Sequence, residues 1–360
     1  MNRVIFAGGG TAGHIEPALS VAREWKMAHA DSEIIFLGTE AGLETRLVPD
    51  AGFNLSFITK VRISRSLSPS LLSIPFTFIR SVSQCIRLVR KADLVVGFGG
   101  YVSGPAYFAA ALTGTPFVIH EANARPGIAN RIGAYLTRFT AVTHPIENGS
   151  LAAALMSGLP LREDVISAFR ASQSDWSTAR KAAKSALGFS DTEPLIFIFG
   201  GSQGSSAINS VISDSRESLT SQGIQILHGV GARNEVPASQ GSYRAVNYIS
   251  DMATAYLAAD LVISRSGAVT CAEVNTLGKY ALFIPLPIGN GEQELNARDL
   301  VAQSRAEVIS QKSFTSEWLV SHIHVLLQRS AQAPVAGSSV DIEAAFKIVA
   351  LMEHALLGGK

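Results

Sequence analysis

What this chain of 360 residues lacks narrows the field first. It has only two cysteines, Cys85 and Cys271, far apart and without metal-ligand spacing. No disulfide framework or zinc finger can be built from them, and they read as reduced, packed side chains of a cytosolic protein. There is no surplus of charge: 30 basic residues face 29 acidic ones, a net of +1. Proteins that track nucleic-acid phosphates carry a clear basic excess, so nucleic acid is not expected as a partner. No run approaches the ~20 apolar residues that span a bilayer. The best stretch, Leu71 to Ile79, is about half that length and contains Pro75. The opening MNRVIFAGGG passes from a short apolar run straight into glycines, which reads as a buried first strand and not a leader. There is no Asp-x-Asp pair for a divalent cation. The Asp-x-Glu pairs Asp31/Glu33 and Asp191/Glu193 precede strands and so fall at the wrong end of a sheet. Neither a bound metal nor another cofactor is expected.

What is present is a regular alternation. Apolar residues make up 47% of the chain, enough for full cores, and the length favours two domains. Short apolar runs read as strands at Val4–Ala7, Ile34–Leu37, Leu55–Ile58, Leu94–Phe98 and Phe117–His120. Helical patterns lie between them at Pro17–Met27, Leu71–Lys91 and Gly104–Leu112. A second series of strands is read at Leu195–Phe199, Ile224–Leu227, Leu261–Ser264, Ala281–Ile284 and Glu307–Ile309. Such alternation predicts α/β domains, each a parallel doubly wound sheet covered by helices. The switch falls near Gly158–Arg162 and is followed by a polar stretch, Glu163 to Glu193. Domains are therefore expected at 1–162 and 163–339, with an apolar helix pattern at Ile342–Leu357 packing back on the first. Two facing Rossmann-like domains place their strand ends, and so their loops, on one shared cleft.

The loops at those strand ends carry the chemistry. The first, GGGTAGH over residues 8–14, offers close backbone approach and free helix amides to an anionic or sugar ligand. A dinucleotide is disfavoured: His14 stands at the start of the helix, and no acid closes the second strand, where Glu40 is the nearest. The second, Gly200–Ser205, suits a diphosphate, with amides, the Ser202 hydroxyl and a helix N-terminus converging. The segment SRSGAVTCAE over residues 264–273 enters a helix and puts Glu273 where a carboxylate could hold two ribose hydroxyls. Taken alone, a helix acid is more often solvated. The turn over residues 287–296 brings Gln293 and Asn296, neutral partners suited to sugar hydroxyls or ordinary caps. In the first domain, His14, Tyr101, His120, Glu121, Asn123 and Asn130 concentrate at strand ends. Any one alone would read as structural; together they read as a site.

The matching stretches GGGTAGHIEPALSVA, GFGGYVSGP, HEANARPGIANR, GLPLR, GGSQGSSAIN, YISDMATAY, SRSGAVTCAE and GNGEQELNA run in order from residue 7 to about residue 298. Together they resemble the MurG family of lipid-linked muramyl-pentapeptide β-N-acetylglucosaminyltransferases. The GHIEP and HEANARPG wording is like the family's actinobacterial branch. The resemblance implies a two-domain GT-B fold and an inverting transfer from UDP-N-acetylglucosamine to the 4-hydroxyl of a polyprenyl-diphosphate-linked muramyl-pentapeptide, lipid I to lipid II of peptidoglycan synthesis. It implies a first domain for acceptor and membrane and a second for the UDP-sugar. Carried over by motif, donor contacts are Thr11, Ala12, Gly13, Asn123, Arg162, Ser202, Ile249 and Gln293. Glu273 holds the ribose, and Ala268, Val269, Thr270, Cys271 and Ala272 line the uridine site. The cleft or acceptor side takes Tyr101, Asn130, Asn209, Arg265 and Asn296. This chain departs from some members at Ala12, Glu16, Ser206 and Glu292, which bears on contact details.

Of the residues that could remove the acceptor proton, His14 leads for its near-neutral pKa and Glu121 is the rival. Rival functions are a glycosyltransferase of similar fold acting on diacylglycerol, a UDP-sugar epimerase, and a non-catalytic binding module; radiolabelled transfer to purified acceptors separates them. One further shortage is local. From Ala51 to Ala92 there is no Asp or Glu, while Lys60, Arg62, Arg65, Arg80, Arg87, Arg90 and Lys91 alternate with Leu71, Leu72, Ile74, Phe76, Phe78 and Ile79. Such a segment can adhere to an anionic membrane or be an ordinary helix with a core-facing side. With an acceptor anchored in lipid, the expected location is the cytoplasmic face of the bacterial membrane, peripherally bound, with proteins of cell-wall synthesis as partners.

Overall fold

The computed structural model describes residues 2–61, 74–232 and 234–358. The chain divides into two compact units: residues 1–162 with 341–360, and residues 163–340. Unit 1 runs β1 (Arg3–Ala7), α1 (Ala12–Ala28), β2 (Glu33–Gly38), α2 (Glu44–Asp50), β3 (Asn54–Phe57), α3 (Ile74–Val89), β4 (Leu94–Gly97), α4 (Ser103–Thr113), β5 (Phe117–Glu121), α5 (Ile128–Gly133), β6 (Thr140–Val142) and β7 (Leu155–Met156). Its seven strands lie in the order β3-β2-β1-β4-β5-β6-β7, all parallel. β1, β4 and β5 are buried throughout or nearly so, as strands covered on both faces must be. Val4, Phe6 and Phe98 pack against Ile15, Leu19 and Trp25 of α1 on one face. Ile5, Val95 and Ile119 pack against Cys85, Val89, Ala106 and Tyr107 of α3 and α4 on the other.

Unit 2 runs α6 (Glu163–Ser172), α7 (Trp176–Ala186), β8 (Leu195–Phe199), α8 (Ser206–Thr220), β9 (Gln225–Gly229), β10 (Tyr243–Val246), α9 (Met252–Ala258), β11 (Leu261–Ser264), α10 (Ala268–Thr276), β12 (Ala281–Phe283), α11 (Glu292–Asn296), α12 (Arg298–Ala302), β13 (Ala306–Val308) and α13 (Ser316–Gln332). Its sheet order is β10-β9-β8-β11-β12-β13, again all parallel. Short polar side chains start the helices. Asp175, Ser205, Asp251 and Thr315 each accept a backbone N–H in the first turn of α7, α8, α9 and α13. The polar stretch after the first series folds as α6 and α7, with Val165, Ile166 and Phe169 buried. The chain then returns to unit 1, where α14 (Ala344–Gly358) lays Ala345, Ile348, Val349 and Met352 into the core beside α1. Just before it, Asp341 Oδ1 accepts from Leu159 N at 2.7 Å.

Candidate functional site

In each sheet the strand order turns back at one point, between β1 and β4 and again between β8 and β11. Loops leaving the carboxyl ends of neighbouring strands diverge there and open a crevice. The loops after β1, β4, β8 and β11 that the sequence singles out lie at these two points, and those after β5 and β12 stand one strand further along.

In unit 1 the glycines after β1 are dictated by contact. A Cβ on Gly8 would stand 2.7 Å from the His14 carbonyl oxygen, and one on Gly10, where φ is +96°, would stand 2.6 Å from the Tyr101 ring. Gly99 and Gly100 lie under His14: a Cβ on either would meet its ring at 3.3 Å. Thr11, Ala12 and Gly13 form the start of α1, Thr11 as the extended residue before it, so the first amides of the helix have no intrahelical partner. His14 is half-buried in that first turn, with Nδ1 3.2 Å from Thr11 Oγ1. Burial lowers its pKa below 6.5, opposed by the charge of Glu121, a hydrogen bond with the Gly9 backbone and the charge of Glu44. At neutral pH the imidazole is therefore unprotonated and able to take a proton.

Glu121 ends β5 and is 3% exposed. One oxygen accepts from Asn123 N at 2.9 Å and Asn123 Nδ2 at 3.1 Å. The other accepts from Gly127 N and Asn130 Nδ2, both at 2.9 Å. The carboxylate thus organises the whole HEANARPG loop. Asn130 is buried and accepts from the Tyr107 hydroxyl at 2.7 Å. His120 is a core histidine, Nε2 3.1 Å from the Gly158 carbonyl, with its pKa pushed down to about 4 by burial. Arg162 is half-buried at the end of the first segment of unit 1.

In unit 2, Ser202 is half-buried on the loop after β8, and Ser205 caps α8. Arg265 sits behind this loop. It donates to Ser205 Oγ at 2.8 Å, Gln311 Oε1 at 2.6 Å, the Ile284 carbonyl at 2.9 Å and the Pro285 carbonyl at 3.1 Å. It fastens three strand ends together. Asn209 is engaged too, its Oδ1 3.1 Å from His228 Nε2 and its Nδ2 donating to the Val230 carbonyl. Gly267 precedes α10, whose first turns are Ala268, Val269, Thr270, Cys271 and Ala272; Glu273 follows, 2% exposed. Gln293 accepts from Leu286 N at 3.0 Å, and Asn296 donates to the Ser266 carbonyl at 3.3 Å. Ile249 packs over Gly229, 3.1 Å from where a Cβ there would stand. Among the described residues no group of three or more His, Cys, Asp or Glu side chains gathers as metal ligands would.

Three side chains that tie the site loops together escaped the reading of the sequence. Ser103 donates to the Ala7 and Gly99 carbonyls, both at 2.7 Å, tying the loops after β1 and β4. Tyr107 reaches Asn130 from α4. Glu44, the first residue of the short helix α2, is fully buried beneath the first glycine loop. Its only signal was the small-residue setting, Gly38 and Gly42, that makes room for it.

Two parallel doubly wound units with glycine loops at both turning points are the plan of the GT-B fold, and the family matches make it a glycosyltransferase. Residues 4–140 match the N-terminal domain of glycosyltransferase family 28, and residues 195–349 match its C-terminal domain. Over 335 residues the chain is 42% identical to the UDP-N-acetylglucosamine–N-acetylmuramyl-(pentapeptide) pyrophosphoryl-undecaprenol N-acetylglucosamine transferase of Thermobifida fusca, covering 90% of this chain and 86% of that one. It is 42% identical over 342 residues to the enzyme of the same name from Corynebacterium glutamicum, covering 94% and 93%. The crystal structure of Acinetobacter baumannii MurG superposes with a TM-score of 0.71 at 27% identity, covering 98% of this chain and 100% of that one. The chain belongs to this MurG family of N-acetylglucosamine transferases within glycosyltransferase family 28.

Proposed function

We propose that this protein moves N-acetylglucosamine from UDP-N-acetylglucosamine to the 4-hydroxyl of a polyprenyl-diphosphate-linked muramyl-pentapeptide, with inversion at the anomeric carbon. The observation that carries this is the half-buried His14, held over Gly99 and Gly100 beside the buried Glu121, in a chain of this family. The hydroxyl oxygen attacks the anomeric carbon from the face opposite UDP, the bond to the diphosphate oxygen breaks, and the hydroxyl proton passes to the base. His14 is that base. Its ring is neutral and accessible, whereas both oxygens of Glu121 already accept two bonds each from the loop. Glu121 stabilises the imidazolium that forms.

Unit 2 takes the donor. The Gly200–Ser205 loop and the start of α8 meet the diphosphate, where charge builds as the bond breaks. Ser202, Ile249 and Gln293 contact the donor, Glu273 holds the ribose and Ala268–Ala272 line the base. Arg265 acts by holding Ser205 and not by touching phosphate. On unit 1, Thr11, Ala12, Gly13, Asn123 and Arg162 are the donor contacts, and Tyr101 and Asn130 shape the acceptor side. The acceptor's lipid stays in the bilayer, so unit 1 docks on an anionic membrane surface through α3. Phe76 is 76% and Ile79 65% exposed there, and Arg80, Arg87, Arg90 and Lys91 are exposed alongside. Arg62, Arg65, Leu71 and Leu72 lie outside the described residues. Among the described residues no helix is long and apolar enough to cross a membrane. Transfer of radiolabelled sugar to purified lipid-linked muramyl-pentapeptide, with diacylglycerol as the competing acceptor, is the test. Product on diacylglycerol alone would reject this reading.

A further inference from the structure

Glu44 is 0% exposed, yet it is tethered to three separate segments of unit 1. Oε1 accepts from Thr39 N at 2.9 Å, after β2, and from Thr39 Oγ1 at 3.3 Å. Oε2 accepts from Gly10 N at 3.0 Å, after β1. The Tyr101 hydroxyl, after β4, donates to Oε1 at 3.0 Å and is 3.1 Å from Thr39 Oγ1. The sequence clears space for this carboxylate. A Cβ on Gly38 would lie 2.5 Å from Glu44 Cγ, one on Gly42 would collide with the carboxylate, and one on Gly9 would approach Oε1 to 3.2 Å. Tyr101 in turn presses its ring on Gly10 and carries Lys60 over its face at 4.6 Å. A buried carboxylate is costly unless its lone pairs are met, so carboxylate and loops order one another.

We infer that Glu44 is a positioning residue for transfer: it fixes the Gly8–Gly10 loop and Tyr101, and through them the place where His14 receives the acceptor proton. The assignment rests on the function proposed above. It goes beyond a structural role because the same carboxylate acts on His14 through space. The charged groups acting on His14 are Glu121 from β5 and, more weakly, Glu44 from α2, and both carboxylates favour the imidazolium. Removing one of the two leaves the protonated intermediate of the reaction less stabilised, while the donor loops of unit 2 are untouched.

Glu44→Gln keeps the volume and one acceptor oxygen but removes the charge and puts an amide N–H against a donor. It should lower kcat by about 30-fold or more, with calorimetric affinity for UDP, which unit 2 holds, within about twofold of wild type. Tyr101→Phe, which deletes only the hydroxyl tether, should show a smaller loss of the same kind. The ring-proton NMR titration of His14, assigned with His14→Ala, should move to lower pH in Glu44→Gln. Unchanged kcat and an unmoved His14 titration would overturn the inference. So would a loss of kcat accompanied by an equal loss of UDP affinity, which marks general unfolding. If wild type made no product on the muramyl acceptor, the functional reading would fail, but the His14 titration would still decide the role of Glu44. Circular dichroism and a cooperative melt of Glu44→Gln establish that the comparison is between folded proteins.

Discussion

At the scale of single residues, the site is a set of backbone-limited positions with few ionisable groups, and two substitutions separate their roles. His14→Ala should lower turnover ~100-fold or more with UDP affinity nearly unchanged. Because burial holds the pKa of His14 below 6.5, the base is lost only when pH falls beneath the ordinary histidine range. The acid limb of kcat/KM should therefore lie below 6.5 in wild type and vanish in the variant; a limb that persists would reassign the base. Glu273→Ala removes a buried carboxylate from α10. Loss of two ribose hydrogen bonds to a charged group should weaken UDP binding by about 2–4 kcal/mol. Calorimetry showing equal UDP affinity would remove Glu273 from the donor site.

At the scale of elements, the clip between Asp341 and Leu159 gives a stability prediction. Burial pushes the Asp341 carboxyl up from 3.8 to about 6, against the pull of the Leu159 N–H and Lys347. A raised pKa means the fold prefers the protonated acid: the contribution is full below the unfolded value near 3.8 and is lost as pH rises through about 6. The shift corresponds to roughly 3 kcal/mol. Asp341→Asn keeps an acceptor for Leu159 without the charge, so its melting temperature should exceed wild type at pH 7.5 and converge with it at pH 4. A gap of the same size at both pH values would show that ionisation is not the cause. How much of these elements the sequence disclosed depends on burial pattern. Long apolar runs such as Leu195–Phe199 were readable because both faces of the strand are covered. β6, β7 and β10 were missed: the first two are three and two residues long, and the last places the exposed Arg244 inside a run of four. α6 and α7 read as a polar stretch because their buried stripes are narrow, while the loops of the site were legible through their glycines. Strand order, and hence the turning point that gathers those loops, leaves no local trace. Nor does the destination of Glu44, Arg265 or Asn209, whose partners lie tens of residues away.

At the scale of the whole molecule, the exposed apolar and basic side chains of α3 predict how the protein should partition. Vesicle sedimentation should show binding to anionic but not neutral lipid, weakened by high salt, since basic groups contribute about 1 kcal/mol each near a charged surface. Arg80→Glu with Phe76→Ser should release it; binding indifferent to lipid charge, salt and both substitutions would exclude this face. The place of α14 has a consequence for how the chain is made. Unit 2 is one continuous stretch, residues 163–340, whereas the core of unit 1 takes Ile348, Val349 and Met352 from beyond it. On the ribosome, at about 5–20 residues per second, the first 162 residues emerge with the side of α1 that α14 will cover still bare. They wait on the order of ten to thirty seconds while unit 2 is synthesised. The earlier half of the sequence thus completes its core only after the later half has been made, and a chain cut short before residue 341 leaves an apolar seam on α1 uncovered.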